Sequence, residues 1–273
     1  MIRKHIDQFT LSQICQSGQC FRMTALEDGL YSVIAGNRYL EIKQHDDECE
    51  FYCEEQEYED FWKHYFDLGN DYSFYLRQID GEDRYLQDAA GFGSGIRILR
   101  QDLWEMIVSF LISQQNNIVR IRRCIRELCE TYGEKCVDFH GKIYYAFPKP
   151  EDLADLDEDA LKACNLGYRS KYVVRTARSI VNKEADLEKI LNLPYVEARA
   201  ELMKLYGVGQ KVADCICLFA LHHLEAFPVD THIQQALDGH YQTGFPNDRY
   251  QGYQGVLQQY IFYYELCGKN NFI

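Results

Sequence analysis

The sequence predicts an α+β fold in which an N-terminal antiparallel β-sheet region packs on a mainly α-helical core. Between residues 30 and 55, apolar and polar residues alternate with a period of two, which is the pattern of half-buried strands. From Glu57 onwards the apolar residues recur at helical spacing instead. With 47% hydrophobic and 26% charged residues, the chain of 273 residues can bury a sizeable core. We therefore expect a β-rich domain over residues 1–90 and a helical domain over residues 91–273.

Three strands are predicted in the N-terminal domain, over residues 31–35, 38–43 and 50–53. Gly36 and Asn37 form the expected two-residue turn between the first two strands, because both residue types tolerate the positive φ that such a turn requires. An acidic loop over residues 46–48 separates the second strand from the third, and its charges would shield the sheet edge. The expected result is an antiparallel meander.

Helical periodicity begins with the aromatic residues between 57 and 66 and continues in a predicted helix over 71–86. The glycine-rich segment 90–95 is predicted to be a flexible join. Residues 103–113 are almost continuously apolar, which predicts a buried helix. Asp102 is its expected N-cap, and Glu105 completes a capping-box pattern. A basic helix over 118–132 follows the polar run 114–117 and is expected to end at Gly133.

A tight turn with the sequence Gly-Val-Gly at residues 207–209 joins two further predicted helices, forming a helix-hairpin-helix near residues 195–223. The first helix is expected to end at Tyr206, and the second to run from Gln210 through Ala220. Glycines let a backbone approach a ligand closely, and the N–H groups at the start of the second helix suit a phosphate. The alternative is an ordinary joint between helices with a capping glycine.

One amine and one carboxylate follow this turn, since Asp230 comes nineteen residues after Lys211. The run Gly-Val-Gly-x-Lys-Val-Ala-Asp-Cys over 207–215, followed by Pro-Val-Asp-Thr-His over 228–232, resembles the helix-hairpin-helix DNA glycosylases, and among them the 8-oxoguanine DNA glycosylases. The resemblance covers residues 16–264. It implies that Lys211 is the nucleophile and Asp230 its acidic partner. It also implies an enzyme that excises 8-oxoguanine and then nicks the strand by β-elimination.

Two alternatives remain open. A glycosylase of the same fold for another damaged base generally lacks the lysine, so Lys211 speaks against it. A non-catalytic DNA-binding hairpin module would form no covalent adduct with DNA. Some relatives carry a four-cysteine iron–sulfur cluster near the C-terminus, but here only Cys267 follows Cys217. The eleven cysteines show no CxxC spacing and are interpreted as reduced core thiols.

The resemblance also implies a set of DNA-contacting residues. The polar run resembles the family's asparagine-rich segment, which enters the minor groove, and Gln115 stands where the family often has asparagine. Tyr168 is the expected wedge beside the lesion, and Arg120 and Arg169 are the expected readers of an opposite cytosine. The alternatives are a polar interhelix loop and a helix cap with a packed tyrosine. The whole DNA-binding set is Gln115, Asn116, Asn117, Arg120, Tyr168, Arg169, Gly207, Gly209 and His232.

Four residues are expected, by the same resemblance, to hold the extruded base. The carbonyl of Gly18 would accept the N7 hydrogen that 8-oxoguanine has and guanine lacks, and Gln258 would read the Watson–Crick edge. Cys215 and Phe262 would sandwich the ring. Gln258 and Phe262 are four residues apart and therefore share a helix face, as do Lys211 and Cys215. The alternatives are a simple turn before a strand at Gly18 and a core position for Phe262.

No cofactor and no catalytic metal is expected. The resemblance implies a monovalent cation that the backbone carbonyls of Met203, Leu205 and Val208 would hold against a phosphate. The expected partner is double-stranded DNA containing oxidised guanine, bound by a monomer. No signal peptide or membrane-spanning run is visible. We therefore expect no membrane association, and a cytoplasmic, nucleoid-associated location in a bacterium or a nuclear one in a eukaryote.

The net charge of −13 is unevenly distributed along the chain. Residues 1–85 hold 18 acidic and 8 basic residues, whereas residues 86–273 hold 24 acidic and 21 basic ones. The helical part is therefore close to neutral and can present a local basic face. Because few phosphates would be neutralised, we expect weak non-specific affinity for DNA.

Overall fold

The computed structural model describes residues 1–268 and confirms the predicted α+β architecture. Its N-terminal part contains an antiparallel five-stranded sheet in the order β1-β5-β4-β3-β2. The three predicted strands are present, and their neighbours at the two edges of the sheet are two strands that the alternation pattern did not indicate. The five strands are Ile2–His5 (β1), Met23–Glu27 (β2), Leu30–Ala35 (β3), Arg38–His45 (β4) and Glu48–Phe51 (β5).

The turn between β3 and β4 is the two-residue hairpin turn that the sequence predicts. Ala35 pairs with Arg38 across it, and Gly36 has a φ of +58°. The aromatic segment after β5 is helical, as predicted, and its middle turn is wound as a π-helix. It comprises Glu55–Glu57 (α2), Tyr58–Trp62 (the π-helix) and Lys63–Tyr65 (α3). A separate short helix, Leu11–Gln16 (α1), lies earlier in the chain, between β1 and β2.

The predicted helix over residues 71–86 is wrong, because two helices occupy this region. They are Ser73–Arg77 (α4) and Arg84–Phe92 (α5). Asp83 caps α5 by accepting a hydrogen bond from the backbone N–H of Leu86, so this aspartate starts a new helix and does not continue the previous one. The flexible join predicted at residues 90–95 is also partly wrong, because α5 includes its first three residues and Ala90 is buried in the helical core.

The helical core is built around α6, which is buried along its whole length from Leu103 to Ile112. Asp102 caps α6 as predicted. The capping box is wrong, since the Glu105 carboxylate accepts hydrogen bonds from the backbone N–H of Gly36 and from Arg22. The helices of the core are Leu103–Ser113 (α6), Ile118–Tyr132 (α7), Pro150–Ala154 (α8), Ser170–Val181 (α9), Leu187–Leu191 (α10), Tyr195–Leu202 (α11), Gln210–Phe219 (α12), Thr231–His240 (α13) and Gln254–Tyr263 (α14).

Two hydrophobic cores divide the described residues. One lies under the five-stranded sheet and the other among the helices. The Arg22–Glu105 ion pair joins them, with both side chains buried and 3.5 Å between the charged groups. Residues before 90 contribute to both cores, for example Tyr72 to the helical one. The domain division at residue 90 stays a prediction, and residues 269–273 of the predicted helical domain lie outside the described residues. Within residues 1–268, no helix has the length and hydropathy needed to cross a membrane.

Candidate active site

The turn between α11 and α12 forms the hairpin, but its first helix is shorter than predicted. Helix α11 ends at Leu202 and not at Tyr206, because the chain tightens there into i→i+3 hydrogen bonds such as that from the N–H of Leu205 to the carbonyl of Leu202. Helix α12 begins at Gln210, as predicted. The amide of Gln114 donates to the carbonyl of Gly207 at 3.0 Å, so the loop between α6 and α7 is fastened to the hairpin.

The two hairpin glycines serve different purposes. Gly207 has a φ of +89°, and a Cβ at this position would lie 2.6 Å from Cγ of the Tyr172 ring. The fold therefore requires glycine there. Gly209 has an ordinary φ of −93°, and a Cβ there would meet no atom within 4 Å. Gly209 leaves open space in front of the N-terminus of α12, where free N–H groups can receive an anion.

Lys211 and Asp230 lie on the walls of the same two adjoining cavities. The ammonium nitrogen of Lys211 is 5.6 Å from the centre of the Phe110 ring. Asp230 caps α13, since its Oδ1 accepts the N–H of Ile233 at 2.9 Å. This bond fixes the carboxylate at a helix N-terminus, where the helix dipole favours its negative charge. The structure therefore brings the predicted amine and carboxylate together.

The smaller cavity, which we call the slot, has a volume of about 50 Å³. It is about the volume of one or two water molecules, so a purine enters only after side chains move. Phe262 lies over Gly18 at its mouth, where a Cβ on Gly18 would be 3.0 Å from the Phe262 ring. The slot is lined by Ser17, Gly18, Phe110, Lys211, Cys215, Phe219, Pro228, Asp230, Gln258, Gln259 and Phe262.

Gly18 is held in place by its neighbour Gln19, which is completely buried. The amide of Gln19 donates to the carbonyl of Arg97 and accepts from the N–H of Leu99, both at 2.9 Å. Its backbone carbonyl accepts from the side chain of Gln101. Gly18 itself has a φ of +75°, a conformation that glycine adopts without strain. The loop is therefore anchored independently of anything that enters the slot.

Gln258 lines the slot and keeps one unpaired acceptor. Its Nε2 donates to the carbonyl of Pro228 at 2.8 Å, and its Oε1 is buried without a hydrogen-bond partner. A buried, unpaired acceptor is costly, and a ligand donor in the slot would satisfy it. Cys215 also lines the slot, and burial raises the pKa of its thiol to about 11, although the nearby Lys211 lowers it. The thiol is therefore neutral near pH 7.

The larger cavity, which we call the groove, has a volume of about 790 Å³ and joins the slot at five shared residues. These shared residues are Gly18, Phe110, Lys211, Asp230 and Phe262. The walls of the groove include the loop between α6 and α7, the start of α12 and His232. His232 is half-buried, and its ring meets that of Phe262 edge-on at 5.8 Å.

The loop between α6 and α7 presents Gln115 to solvent with a φ of +47°. Asn116 and Asn117 bond locally instead. The Asn116 amide donates to the carbonyl of Ile112, and Asn117 caps α7 by accepting the N–H of Arg120. Gln115 therefore combines an exposed side chain with a positive φ, a backbone conformation that residues other than glycine rarely adopt.

The arginines of α7 have distinct surroundings. Arg123 pairs with Glu127, and Arg126 lies 3.8 Å from Glu130. Arg122 donates to the carbonyl of Cys15. Arg120 is exposed and forms no ion pair with any other residue in the range 1–268. Its neighbours Val119 and Ile121 line the groove, and its own side chain interacts with the thiol of Cys124.

Arg169 is not exposed. It is 4% accessible and donates to the carbonyls of Leu166, Gln114 and Gln115. Tyr168 is 43% exposed, its hydroxyl donates to the Gln114 carbonyl at 3.4 Å, and the Arg169 guanidinium lies 4.6 Å from its ring centre. The predicted wedge position is therefore accessible. A base-reading role for Arg169 stays a prediction, and it would require these hydrogen bonds to open.

Sequence reasoning missed two polar residues. Gln114 joins three segments, because its side chain bonds to Gly207 and its carbonyl accepts from Tyr168 and Arg169. Gln259 lines the slot, is 2% exposed, and has an Oε1 without a partner. Each stands next to a residue that the resemblance singled out, but neither has a motif of its own. Their roles follow only from the assembled structure.

The hairpin carbonyls are suitable for a hard monovalent cation. Hard cations prefer oxygen ligands. The carbonyl of Leu205 accepts the N–H of Val208 at 3.1 Å and keeps a second lone pair. Met203 is 43% exposed, so the turn is open to solvent on that side. Leu205 therefore keeps an acceptor for the expected cation, and the three-carbonyl ligand set stays a prediction.

Comparisons with known proteins agree with this geometry. Residues 1–107 match the N-terminal domain of 8-oxoguanine DNA glycosylase, and residues 108–249 match the HhH-GPD superfamily of base excision DNA repair proteins. The 8-oxoguanine glycosylase/lyase of Clostridium acetobutylicum has the same fold, with a TM-score of 0.90 and 38% identity over 96% of this chain and 94% of its own. The same enzyme bound to DNA with cytosine opposite 8-oxoguanine gives a TM-score of 0.90 and 37% identity over 97% of this chain and 93% of its own.

Curated relatives match over less of their length. The N-glycosylase/DNA lyase of Saccharomyces cerevisiae is 40% identical over 54% of this chain and 42% of its own. The probable N-glycosylase/DNA lyase of Methanothermobacter thermautotrophicus is 32% identical over 67% of this chain and 63% of its own. The aligned parts thus span about two fifths to two thirds of these relatives. The predicted resemblance is confirmed, and the chain belongs to the 8-oxoguanine DNA glycosylase family within the HhH-GPD superfamily of base excision DNA repair proteins.

Proposed function

We propose that this protein is a bifunctional 8-oxoguanine DNA glycosylase and AP lyase that acts on double-stranded DNA as a monomer. One observation carries the proposal, namely that Lys211 and Asp230 line both the groove and the slot. A nucleophile at this junction reaches the sugar of a nucleotide whose phosphates stay in the groove and whose base has entered the slot. Taking a base out of the stack is required, because the C1′ atom cannot be attacked inside the duplex.

In the glycosylase step, the neutral amine of Lys211 attacks C1′ of the damaged nucleotide. The C1′–N9 bond breaks, and its electron pair leaves with the base, which takes up a proton. Asp230 stabilises the positive charge that develops on the sugar, because its carboxylate is fixed at the start of α13 before the reaction begins. No metal is required to supply charge at this step.

In the lyase step, the amine that is now bonded to C1′ opens the sugar and forms a protonated Schiff base. Loss of a proton from C2′ then expels the 3′ phosphate and leaves the strand nicked on the 3′ side of the lesion. Hydrolysis of the Schiff base regenerates Lys211. This second activity separates the protein from a glycosylase that activates water, which would leave an intact abasic strand.

Recognition of the base follows from the slot. The N7 hydrogen of 8-oxoguanine would bond to the carbonyl of Gly18, and the N1 and N2 hydrogens would bond to Oε1 of Gln258, whose only free atom is an acceptor. Cys215 and Phe262 would contact the two ring faces. Guanine has no N7 hydrogen, so it leaves the Gly18 carbonyl unpaired, at a cost of about 1–3 kcal/mol.

Recognition of the opposite base is assigned to Arg120 and Arg169, with Tyr168 filling the gap in the stack. Arg120 is exposed beside the groove and can reach the acceptors of a cytosine directly. Gln115, Asn116, Asn117, Gly207, Gly209 and His232 would hold the DNA backbone, and the carbonyls of Met203, Leu205 and Val208 would hold a monovalent cation against a phosphate. The protein would act wherever chromosomal DNA lies, in a bacterial nucleoid or in a eukaryotic nucleus.

Borohydride trapping on a duplex with 8-oxoguanine opposite cytosine tests the proposal. The unmodified protein is expected to release 8-oxoguanine, nick the strand and form a covalent adduct. Lys211→Gln is expected to bind the same duplex and do none of the three. Base release without an adduct would refute the lysine mechanism, and an adduct formed only with an alkylated base would refute the assignment of 8-oxoguanine as the substrate. A non-catalytic DNA-binding module would release no base and form no adduct.

A further inference from the structure

The slot contains a second buried glutamine, which the reaction described above does not use. Gln259 follows Gln258 in α14, is 2% exposed, and borders the same cavity of about 50 Å³. Its Oε1 is buried and has no hydrogen-bond partner. Because no partner fixes the amide, it can present either its oxygen or its NH₂ group to the slot by rotation. A buried unpaired amide is costly to keep, so its presence in a ligand cavity calls for a functional explanation.

The position of Gln259 follows from helix geometry. Successive residues of a helix are separated by 100°, so Gln259 is displaced from Gln258 in the same rotational sense as Phe262. The ring of Phe262 lies against Gly18. Around the helix axis Phe262 is about 40° and Gln259 about 100° from Gln258, so the two glutamines lie on either side of Phe262 and both line the slot. Ser17 also lines the slot, but its hydroxyl already donates to the carbonyl of Ile14 at 2.9 Å.

The order of groups on the base leaves one of its acceptors without a partner. On the edge of a purine, the 6-substituent lies between N7 and N1. If the Gly18 carbonyl takes the N7 hydrogen and Gln258 takes the N1 hydrogen, then the 6-oxo group of 8-oxoguanine lies between two protein acceptors. Both of those protein groups are acceptors, so neither can satisfy the 6-oxo oxygen. The amide of Gln259 can, because its NH₂ group is a donor.

We propose that Gln259 is a specificity-determining residue that donates a hydrogen bond to the 6-oxo group of the extruded base. This inference rests on the proposed function and deepens it, because it restricts the substrate class to 8-oxopurines with an acceptor at position 6. An 8-oxoadenine presents a 6-amino donor there and lacks the N1 hydrogen that Gln258 accepts. Gln258 therefore disfavours 8-oxoadenine through N1, whereas the donor of Gln259 adds affinity for a base that has an acceptor at position 6.

Single-turnover excision by Gln259→Met tests the inference, since methionine keeps the side-chain volume and removes the donor. The variant is expected to excise 8-oxoguanine about tenfold more slowly than the unmodified protein, because one hydrogen bond to a buried acceptor is lost. Its rates on 8-oxoadenine and on a preformed abasic site should stay unchanged. Gln254→Met is the matched control, because Gln254 is a buried glutamine of the same helix that bonds to Gly252 and Asn247 and does not line the slot.

A second measurement changes the substrate and does not depend on how well the variant folds. In 6-thio-8-oxoguanine the 6-substituent is a weaker acceptor, while the N1, N2 and N7 hydrogens remain. The unmodified protein should excise this base about tenfold more slowly than 8-oxoguanine, and Gln259→Met should excise the two at similar rates. If the effect of the sulfur substitution disappears in Gln259→Met, the two changes act on the same contact, that between the Gln259 side chain and the 6-oxo oxygen.

The outcomes separate the inference from the function on which it rests. Release of 8-oxoguanine at equal rates by Gln259→Met and the unmodified protein would overturn the inference alone. Equal slowing of 8-oxoguanine and 8-oxoadenine would overturn it as well, because a structural defect gives that pattern. No release of 8-oxoguanine by the unmodified protein would overturn both the inference and the proposed function.

Discussion

Gly207 and Tyr172 are matched to one another across two separate elements. A Cβ at residue 207 would lie 2.6 Å from Cγ of the Tyr172 ring, so the ring of α9 packs directly on the hairpin backbone. The same ring meets that of Tyr168 at 5.6 Å between centroids. The hairpin that is proposed to bind the DNA backbone and the proposed wedge are thereby held against a common side chain.

This relationship predicts opposite behaviour for the two hairpin glycines. Gly207→Ala should lower the free energy of unfolding by at least about 1–2 kcal/mol, because alanine is strained at a φ of +89° and its Cβ would collide with Tyr172. Gly209→Ala should unfold like the unmodified protein, to within about 0.5 kcal/mol. Its affinity for lesion DNA should nevertheless fall, because the methyl group fills the space in front of α12. Urea denaturation and a DNA-binding titration check both statements, and normal DNA binding by Gly209→Ala would contradict the assigned role.

Asp230 caps α13 and lines both cavities, and substitutions can separate the cap from the proposed role in base release. Asparagine caps a helix as well as aspartate does, so Asp230→Asn should keep the stability of the protein while the single-turnover rate of base release falls by about 100-fold or more. Asp230→Ala should lose the rate and also about 1 kcal/mol of stability. Single-turnover kinetics beside thermal denaturation make the comparison. A normal excision rate in Asp230→Asn would remove this carboxylate from the mechanism.

The two proposed readers of the opposite base should also differ. Arg120 is exposed, so Arg120→Met should keep its stability but lose preference for cytosine over adenine opposite 8-oxoguanine. The preference itself is expected to be at least about tenfold, which corresponds to 1.4 kcal/mol. Arg169→Met should lose about 2 kcal/mol of stability or more, because it removes several buried hydrogen bonds from a charged donor to Gln114, Gln115 and Leu166. Excision measured opposite each of the four bases tests Arg120, and a uniformly weaker activity with preference retained would indicate a phosphate contact.

Buried thiols predict a loss of stability in alkali. Burial raises the pKa of Cys20 and Cys215 to about 11, and that of Cys49, Cys129 and Cys217 to about 12, from an ordinary value of 9.0. The folded protein therefore keeps protons that the unfolded chain releases. Their contribution to stability is complete below pH 9 and is lost as the pH rises towards 11 and 12. Thermal denaturation between pH 8 and pH 11 should show this fall, and a melting temperature that stays constant over the range would contradict the assignment.

Local patterns in the sequence predicted the central elements well. The apolar run of α6, the cap at Asp102 and the Gly-Val-Gly turn each specify their structure within a few residues. The edge strand β1 has only four residues, two of them charged, and its pairing with β5 is decided by tertiary contact. The single helix predicted over 71–86 is wrong because the helical spacing of apolar residues continues across the turn between α4 and α5. Asp83 follows that turn and starts α5 as its N-cap.

The candidate site could likewise be predicted only in part from the sequence. Motif resemblance identified Lys211 and Asp230, and the fold brings them to one junction. Sequence spacing could not reveal that Arg169 is buried, since its three carbonyl partners belong to a loop more than fifty positions away and to its own turn. Nor could it reveal that Gln259 lacks a partner. Statements about which polar atoms remain unpaired require every neighbour to be in place.

The small volume of the slot affects how such a protein would search a genome. A chromosome offers about a million or more undamaged sites for each target, so most encounters are with ordinary guanine. A slot of this volume has no room for a purine until lining side chains move, and that movement costs free energy. A base that satisfies the unpaired acceptors offsets the cost, whereas any other base does not. We therefore expect short residence times on undamaged DNA, because few trials repay the movement of the side chains.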